Sequence, residues 1–293
     1  MTGNLQTESA SGAHATPETT VAQALSAAAS LGIDRLDAQL LTLHALGRPL
    51  HDRAWLLAHD TDIFPEAAWT ALAALSARRR AGEPVAYLVG EKEFHGITLR
   101  VDARVLVPRP DTETLVDWAL DVLGSAVSPA MLDLGTGSGA IALALQKARP
   151  DARVDAVDAS IDALVVATAN ADRLKLPVRF IQADWLDGAA AGYALIASNP
   201  PYIAVDDHHL AALRHEPLNA LVAGADGLDD IRRIVRDAPA HLADDGWLLL
   251  EHGHDQAPAV RALLSARGFA QVQSRDDLAG IARCSGGIWR TVK

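Results

Sequence analysis

Residues 131–148 read MLDLGTGSGAIALALQKA, and this stretch indicates the fold. A short buried strand at residues 131–134 runs into a loop with a glycine at every second position, and an apolar helix follows from residue 140. Glycine lets the backbone turn sharply and approach a ligand with no side chain in between. A strand, a glycine loop and a helix in this order predict a doubly wound α/β fold. The loop consists of Gly135, Thr136, Gly137, Ser138 and Gly139.

The glycine loop by itself leaves the ligand open. Gly135, Gly137 and Ala140 also match the dinucleotide fingerprint G-x-G-x-x-A, a short pattern that occurs by chance. The next predicted strand, residues 153–157, ends in Asp158. This acid follows the glycines by about 20 residues, the spacing at which a carboxylate accepts hydrogen bonds from the ribose hydroxyls. Both NAD and S-adenosylmethionine fit these features.

Further strands end in residues that suit a nucleoside ligand. The strand at residues 178–182 is followed by Asp184, which can accept from an adenine amino group, and by Trp185, which can cover the ring. Residues 194–198 form a strand that ends in Asn199, and Glu251 ends a later one as a candidate for the wall of the site. Ligands of open α/β sheets bind at the carboxyl ends of the strands, so we expect a site at this edge.

Asn199, Pro200, Pro201 and Tyr202 stop their strand abruptly, because proline has no N–H for the ladder and disfavours helix in the residue before it. The Asn199 side chain offers a carbonyl acceptor, and the backbone carbonyls of Asn199 and Pro200 have few local donors. Tyr202 adds a flat aromatic face. This combination favours binding of a planar NH2 group. On these four residues alone, a proline-rich turn without a ligand is an equal alternative.

The amino-terminal part has helical periodicity over residues 20–80. Gly32 stops the first predicted helix, Asp34 caps the second, and Pro65 suits the first turn of the fourth. The fourth helix ends in three arginines, residues 78–80, which complement the helix dipole at a solvated end. An acidic or nucleic-acid partner is the alternative interpretation of this basic run.

Two segments connect the helices to the α/β part. Residues 94–100 alternate about a His-Gly turn and predict a β-hairpin. In residues 105–113, two prolines flank Arg109 and hold an extended, exposed segment, after which Asp111 or Thr112 is expected to cap a helix. The segment fits a lid over a site, and it fits a plain linker equally well.

Composition limits the classes of partner. Lys plus Arg is 26 and Asp plus Glu is 37, so the formal charge of −11 argues against a nucleic-acid backbone as the main partner. The single cysteine, Cys284, excludes an internal disulfide and fits a reducing compartment. No apolar run approaches the roughly 20 residues that span a membrane, and residues 1–17 lack the pattern of a signal peptide. We therefore expect a soluble cytoplasmic protein.

The glycine loop, the ribose acid and Asn-Pro-Pro-Tyr, in that order, resemble class I S-adenosylmethionine-dependent methyltransferases that act on a planar NH2 group. Three more stretches narrow the resemblance: VPRPDTE at 107–113, Glu216-Pro217, and AGADGL at 223–228. With these, residues 20 to 290 resemble the protein-(glutamine-N5) methyltransferases of the PrmC/HemK family. Members of that family methylate the glutamine of the Gly-Gly-Gln loop in peptide chain release factors.

The resemblance implies the architecture of an α/β class I methyltransferase, with a Rossmann-like, seven-stranded sheet. It implies a disordered tail at 1–19, a helical substrate-recognition domain at 20–90, a β-hairpin linker at 91–110 and the S-adenosylmethionine-dependent methyltransferase domain at 111–293. It also implies S-adenosyl-L-methionine as cofactor, S-adenosyl-L-homocysteine as product, release factors as the protein substrate, and no metal.

The resemblance also implies roles for individual residues. Asn199 is expected where cofactor and substrate meet, and with Pro200, Pro201 and Tyr202 it holds and activates the substrate amide. The cofactor is expected to contact Gly135, Thr136, Gly137, Ser138, Gly139, Asp158 and Trp185.

Two alternative functions use parts of the same pattern. An N6-adenine DNA or RNA methyltransferase would carry the same Asn-Pro-Pro-Tyr residues, but it needs a basic groove, which the charge of −11 disfavours. An NAD enzyme or a non-catalytic binding module would keep the glycine loop and has no need for Asn-Pro-Pro-Tyr.

Overall fold

The computed structural model describes residues 19–291, which fall into two compact units. The helical unit ends at Val89 and the sheet unit begins at Gly90. Apart from Thr19, the predicted tail at 1–19 lies outside the described residues. No helix within residues 19–291 is both long enough and apolar enough to cross a membrane.

The helical unit is held together by an aliphatic core and by polar caps. Thr20 and Gln23 form a reciprocal capping box at the first helix, and Asp34 caps the second as predicted, accepting from the Leu36 N–H at 2.8 Å. Leu41 and Leu56 are almost fully buried in its core. The helices in the described part are α1 (Val21–Ser30), α2 (Arg35–Ala45), α3 (Arg53–Ala58), α4 (Glu66–Arg80) and α5 (Val85–Val89).

The sheet unit begins with the predicted hairpin, β1 (Glu91–Phe94) and β2 (Ile97–Arg100), and continues as alternating strands and helices. Its helices are α6 (Glu113–Leu123), α7 (Ala140–Ala148), α8 (Ile161–Leu174), α9 (Asp229–Asp237) and α10 (Ala257–Arg267). Its other strands are β3 (Ala130–Leu134), β4 (Arg153–Asp158), β5 (Val178–Gln182), β6 (Tyr193–Ser198), β7 (Leu242–Glu251), β8 (Ala270–Asp276) and β9 (Ala282–Trp289).

The described strands β3 to β9 form one seven-stranded sheet in the order β5-β4-β3-β6-β7-β9-β8. Strands β3 to β7 are parallel, whereas β9 runs antiparallel to both β7 and β8. The chain builds outward from β3 through β4 to β5 and then returns to β6 on the other side of β3. This reversal creates a crevice at the carboxyl ends of β3 and β6, which is where ligands of doubly wound sheets bind.

Two predicted features of the sheet unit were wrong. The amphipathic pattern of residues 228–242 predicts one helix over that whole range. Instead, α9 ends at Asp237 and a 3₁₀ turn follows at Ala238–Ala240, because Pro239 has no N–H to continue the helix. Thr112 was a candidate cap for α6, yet its side chain makes no capping hydrogen bond. A 3₁₀ turn at Pro110–Thr112 leads into α6 instead, which leaves the Thr112 hydroxyl free to act elsewhere.

The hairpin is tied to the glycine loop by Asn170 on α8. The Asn170 Oδ1 accepts from the Arg100 N–H at 2.7 Å, and Nδ2 donates to the carbonyls of Arg100 and Ser138, each at 3.0 Å. One fully buried amide therefore joins the end of β2 to the loop after β3.

Candidate active site

The glycine loop leads from β3 into α7 with all its glycines at positive φ. Gly135, Gly137 and Gly139 have φ of +69°, +55° and +85°, a region that favours glycine. The Asp158 carboxylate at the end of β4 accepts from the Gly137 N–H and the Ser160 N–H, each at 2.9 Å. Burial raises the pKa of Asp158, and these two hydrogen bonds oppose the rise. The acid predicted to bind ribose thus also fixes the loop.

Asp133 holds the loop from its buried side. Its Oδ2 accepts from the Thr136 hydroxyl at 2.7 Å and from the Ala142 N–H at 3.1 Å. Its other oxygen, Oδ1, is buried and has no hydrogen-bond partner among residues 19–291. Burial raises the pKa of Asp133 to about 7. Asp133 therefore joins the loop to the first turn of α7.

Trp185, after β5, lies against the glycine loop. It has a positive φ of +54°, and a methyl group built on Gly135 would come within 3.3 Å of its indole ring. The indole Nε1 donates to Asp230 Oδ1 on α9 at 3.1 Å. Its neighbour Asp184, a candidate acceptor for adenine, pairs with Arg233 at 2.7 Å. Helix α9 thus fixes the segment after β5.

The Asn-Pro-Pro-Tyr segment leaves β6 at the crevice between β3 and β6. Asn199 is half-buried, and its Nδ2 donates to the Thr112 hydroxyl at 3.1 Å, which leaves Oδ1 as an acceptor. The Tyr202 carbonyl accepts from Gln256 Nε2 at 3.0 Å. Burial raises the pKa of the Tyr202 phenol, so the ring stays neutral. The segment is held at both ends by side chains from other elements.

The Pro-Arg-Pro segment is fixed by an ion pair rather than left open. Arg109 pairs with Glu216, and a Glu216 oxygen also accepts from the Val107 N–H at 3.0 Å. The Glu216 side chain is 2% exposed, so the pair is shielded from solvent on the acidic side. Two of the stretches that suggested the family, residues 107–113 and Glu216-Pro217, are therefore in contact.

Two cavities of the sheet unit, each of about 240 Å³, meet at Asn199. Leu106, Asn199 and Ala220 line both of them. The first cavity, on the side of the glycine loop, is also lined by Gly135, Gly137, Asp158, Trp185 and Pro201. The second, on the other side of Asn199, is also lined by Arg109, Tyr202, Ile203, Leu213 and Leu221. Ligands in the two cavities would therefore have Asn199 as a common neighbour.

The structure brings most of the predicted site residues together. Thr136 and Ser138 are buried, and Gly139 packs against Leu143 and Ala167 as the residue before α7, so these three lie behind the cavity wall. Pro200 is buried next to Asn199. Residues that the sequence did not assign to the site also support it, namely Thr112, Asn170, Asp230 and Gln256.

Comparison with known proteins gives two family matches. Residues 113–272 match the family described as Methyltransferase small domain, and residues 19–90 match the PrmC N-terminal domain. Among solved structures, the Thermus thermophilus 16S rRNA methyltransferase RsmC in complex with AdoMet and guanosine has a TM-score of 0.52 and 20% sequence identity. The similarity covers 68% of this chain and 50% of that chain. It supports the fold of the sheet unit.

Relatives of known name extend the match to nearly the whole chain. A release factor glutamine methyltransferase of Bordetella pertussis is 52% identical over 263 residues, which cover 87% of this chain and 95% of the relative. One of Burkholderia pseudomallei is 49% identical over 265 residues, covering 87% and 92%. On this identity and coverage, the chain belongs to the release factor glutamine methyltransferase family.

Proposed function

We propose that this protein transfers a methyl group from S-adenosyl-L-methionine to the side-chain amide nitrogen, N5, of the glutamine in the Gly-Gly-Gln motif of peptide chain release factors. The observation that carries the proposal is the meeting of two cavities at Asn199. A methyl donor and a methyl acceptor need separate binding spaces that adjoin, and Asn199 is the polar side chain that lines both of these cavities. The names of the relatives support the glutamine and the release factor.

The first cavity fits the cofactor. The Asp158 carboxylate spends one lone pair of each oxygen on the Gly137 and Ser160 N–H groups and keeps others for two ribose hydroxyls. Trp185 offers an aromatic wall for adenine, and Gly137 leaves open space where a side chain would project, since nothing lies within 4 Å of a methyl group built there. The product would be S-adenosyl-L-homocysteine.

The second cavity fits a neutral side-chain amide. Its wall includes Ile203, Leu213 and Leu221, and the Tyr202 ring provides a neutral flat face for the amide plane. Arg109 is held by Glu216, so its charge is already balanced. An uncharged acceptor therefore suits this cavity better than a phosphate.

The chemistry follows from the weakness of an amide as a nucleophile, since its nitrogen lone pair is delocalised into the carbonyl. When bound, the cofactor supplies an electrophilic methyl group on a sulfonium. We assign the Asn199 Oδ1 and the Pro200 carbonyl as acceptors for the two N–H bonds of the glutamine amide. They orient the nitrogen toward the methyl group and stabilise the positive charge that develops on it. After transfer the nitrogen is acidic enough to lose its proton to solvent.

The helical unit is proposed to recognise the release factor, because residues 19–90 match the PrmC N-terminal domain and make none of the site contacts described above. Release factors are accordingly the proposed partner. A cytoplasmic location is proposed on the grounds that the single cysteine, Cys284, is buried and unpaired, as is usual in a reducing compartment.

Mass spectrometry of a recombinant release factor, incubated with this protein and S-adenosylmethionine, tests the function. We expect one methyl group on the Gly-Gly-Gln glutamine and none on an adenine-containing DNA duplex or RNA offered in parallel. Asn199→Ala should lower kcat by roughly 100-fold or more and leave the cofactor Kd, from calorimetry, within about threefold. Methylated adenine with unmodified protein would replace this function by N6-adenine methylation.

A further inference from the structure

Glu251 is a buried acid beside the proposed catalytic amide. It is the last residue of β7, and Ser198 of β6 pairs with Leu250 of β7, so Asn199 and Glu251 leave neighbouring strands at the same level. On its other side Glu251 pairs with Cys284 of β9. Only 1% of Glu251 is exposed. The Glu251 carboxyl group therefore lies in the protein interior, at the end of the strand next to the one that leads to Asn199.

Thr112 and Asn199 are hydrogen-bonded to each other, and Glu251 ends the strand next to the one that leads to Asn199. Asn199 Nδ2 donates to the Thr112 hydroxyl at 3.1 Å. The Thr112 and Asn199 side chains both lower the pKa of the Glu251 carboxyl, which lies beside them. A carboxylate only accepts, and a hydroxyl that donates to it keeps its lone pairs for another donor. The NH2 end of Asn199 is therefore the end that fits against this pair, and the carbonyl end is left for the acceptor cavity.

Burial of the Glu251 carboxyl is costly to the folded protein. Within residues 19–291 Glu251 has no ion-pair partner, and its Oε2 is buried with no hydrogen-bond partner. Burial raises the pKa of Glu251 to about 7. Thr112 lowers it, Asp111 raises it, and Arg283 and Asn199 lower it. A well-packed apolar side chain of similar volume is often more stabilising than a buried charge at such a place. A function explains why an acid occupies it.

We propose that Glu251 and Thr112 are positioning residues that fix the amide of Asn199 with its carbonyl toward the substrate nitrogen. This rests on the proposed function, in which Asn199 Oδ1 accepts an N–H of the substrate amide. If the amide were free to rotate by half a turn, its NH2 group would face the substrate NH2 and repel it. The pair thus acts on turnover through Asn199, and neither Thr112 nor Glu251 is among the residues that line the first cavity.

The first test compares two substitutions at Thr112. Thr112→Val keeps the shape and loses the hydroxyl, whereas Thr112→Ser keeps the hydroxyl. We expect Thr112→Val to lower kcat for release factor methylation by about 10- to 100-fold, with the cofactor Kd unchanged, and Thr112→Ser to recover most of that loss. A merely structural role predicts instead that both variants lose activity only as far as they lose thermal stability.

The second test uses Glu251→Gln, which is isosteric and uncharged. Its NH2 group can face the Asn199 amide, favour the flipped orientation and lower kcat, while removal of a buried charge leaves Tm at pH 8 equal to or above that of wild type. Lower activity with equal or higher stability supports a positioning role. Full kcat in both Glu251→Gln and Thr112→Val, with an active wild type, overturns it.

A third measurement needs no substrate. NMR of protein labelled with 15N-asparagine shows the side-chain NH2 signals of Asn199, which are identified by their loss in Asn199→Ala. The hydrogens of this NH2 group should exchange slowly with water in wild type and at least tenfold faster in Thr112→Val. Equal exchange rates in the two proteins overturn the inference. This result stands whether or not wild type methylates a release factor, so failure of the inference is separated from failure of the proposed function.

Discussion

The Trp185 indole donates a hydrogen bond to Asp230 across 45 residues of sequence and a distance of 3.1 Å. Trp185 lies in the loop after β5 and Asp230 in the first turn of α9. Burial raises the pKa of the Asp230 carboxyl, and the bond from Trp185 opposes that rise. The Trp185 ring that lines the first cavity is therefore held by a residue on a different element. Substitution of Asp230 should change the affinity for the cofactor.

Asp230→Ala should weaken binding of S-adenosylmethionine by about 5- to 30-fold, since one hydrogen bond to a charged group contributes on the order of 1–2 kcal/mol. Calorimetry gives the Kd, and the tryptophan emission change on binding, identified with Trp185→Phe, reports the ring itself. Asp229→Ala is the matched control, because its exposed carboxylate pairs with Arg232 on the same helix. Equal affinities in the two alanine variants would contradict a role for the bond.

Alanine substitutions at Gly137 and Gly139, two glycines of the same loop, are expected to have different effects on stability and cofactor binding. At Gly137, φ is +55° and a methyl group would meet nothing within 4 Å, so Gly137→Ala should cost about 1–2 kcal/mol of stability. That methyl group enters the first cavity, so the cofactor Kd should rise at least tenfold. At Gly139 the methyl group would lie 2.9 Å from Leu143 Cδ1, and Gly139→Ala should lose more stability, roughly 2–4 kcal/mol.

Urea unfolding of the free protein and calorimetry with the cofactor separate these two effects. We expect Gly137→Ala to be the less destabilised of the two variants. Its folded protein should nevertheless bind the cofactor more weakly than folded Gly139→Ala. If both variants lose stability and affinity in the same proportion, the loop acts as one structural unit and the distinction is wrong.

Asp133 should make the stability of the protein depend on pH near neutrality. Its pKa is about 7 when folded, against an ordinary 3.8, so the folded state holds a proton that the unfolded state releases. The stability from this group is complete below pH 4 and is lost as the pH rises through 7. Asp133→Asn keeps an acceptor for Thr136 and Ala142 without titrating. Relative to wild type it should gain roughly 1–3 kcal/mol between pH 5.5 and pH 8.

Thermal or urea unfolding at several pH values measures this difference. Asp151→Asn is the control, because hydrogen bonding to Arg149 lowers the pKa of that exposed acid to about 2, well below the range tested. Its stability relative to wild type should therefore stay constant from pH 5.5 to pH 8. A constant difference for Asp133→Asn as well would show that Asp133 is ionised in the folded protein.

The sequence was sufficient for the backbone of the site because its signals are local. Glycines at 135, 137 and 139 and the prolines after Asn199 end strands at a common edge, and their effect on φ and on the hydrogen-bond ladder needs no knowledge of distant residues. The end of α9 at Asp237 was predicted wrongly, although its signal is also local. Pro239 was present in the sequence, and the rule that it ends a helix would have found the boundary.

The supports of the site were hidden because they are contacts between side chains far apart in sequence. Thr112 lies 87 residues before Asn199, and a threonine before a helix fits a cap as well as a hydrogen-bond partner. Glu251 could be suspected from its place at a strand end. Its burial and its place beside Asn199 depend on which strands become neighbours, and one sequence does not contain that pairing.

Gly227 lies against the backbone carbonyl that ends the Asn-Pro-Pro-Tyr segment. A methyl group on Gly227 would lie 2.1 Å from the Tyr202 oxygen and 2.8 Å from Gln256 Nε2, the group that donates to that oxygen. Gly280 has a similar φ, +77° against +72°, and nothing within 4 Å of the corresponding position. Alanine at either position would therefore have similar backbone strain, but only at Gly227 would its methyl group also clash with the Tyr202 carbonyl.

Gly280→Ala should cost about 1–2 kcal/mol of stability from the left-handed backbone alone and leave methylation of a release factor unchanged. Gly227→Ala should cost an additional 1–3 kcal/mol or so and lower kcat about 10- to 100-fold, because Tyr202 must move to relieve the clash and carries the acceptor side of the site with it. Urea unfolding and initial rates at saturating cofactor measure both quantities. If the two variants have the same kcat, the position of the Tyr202 carbonyl does not control turnover.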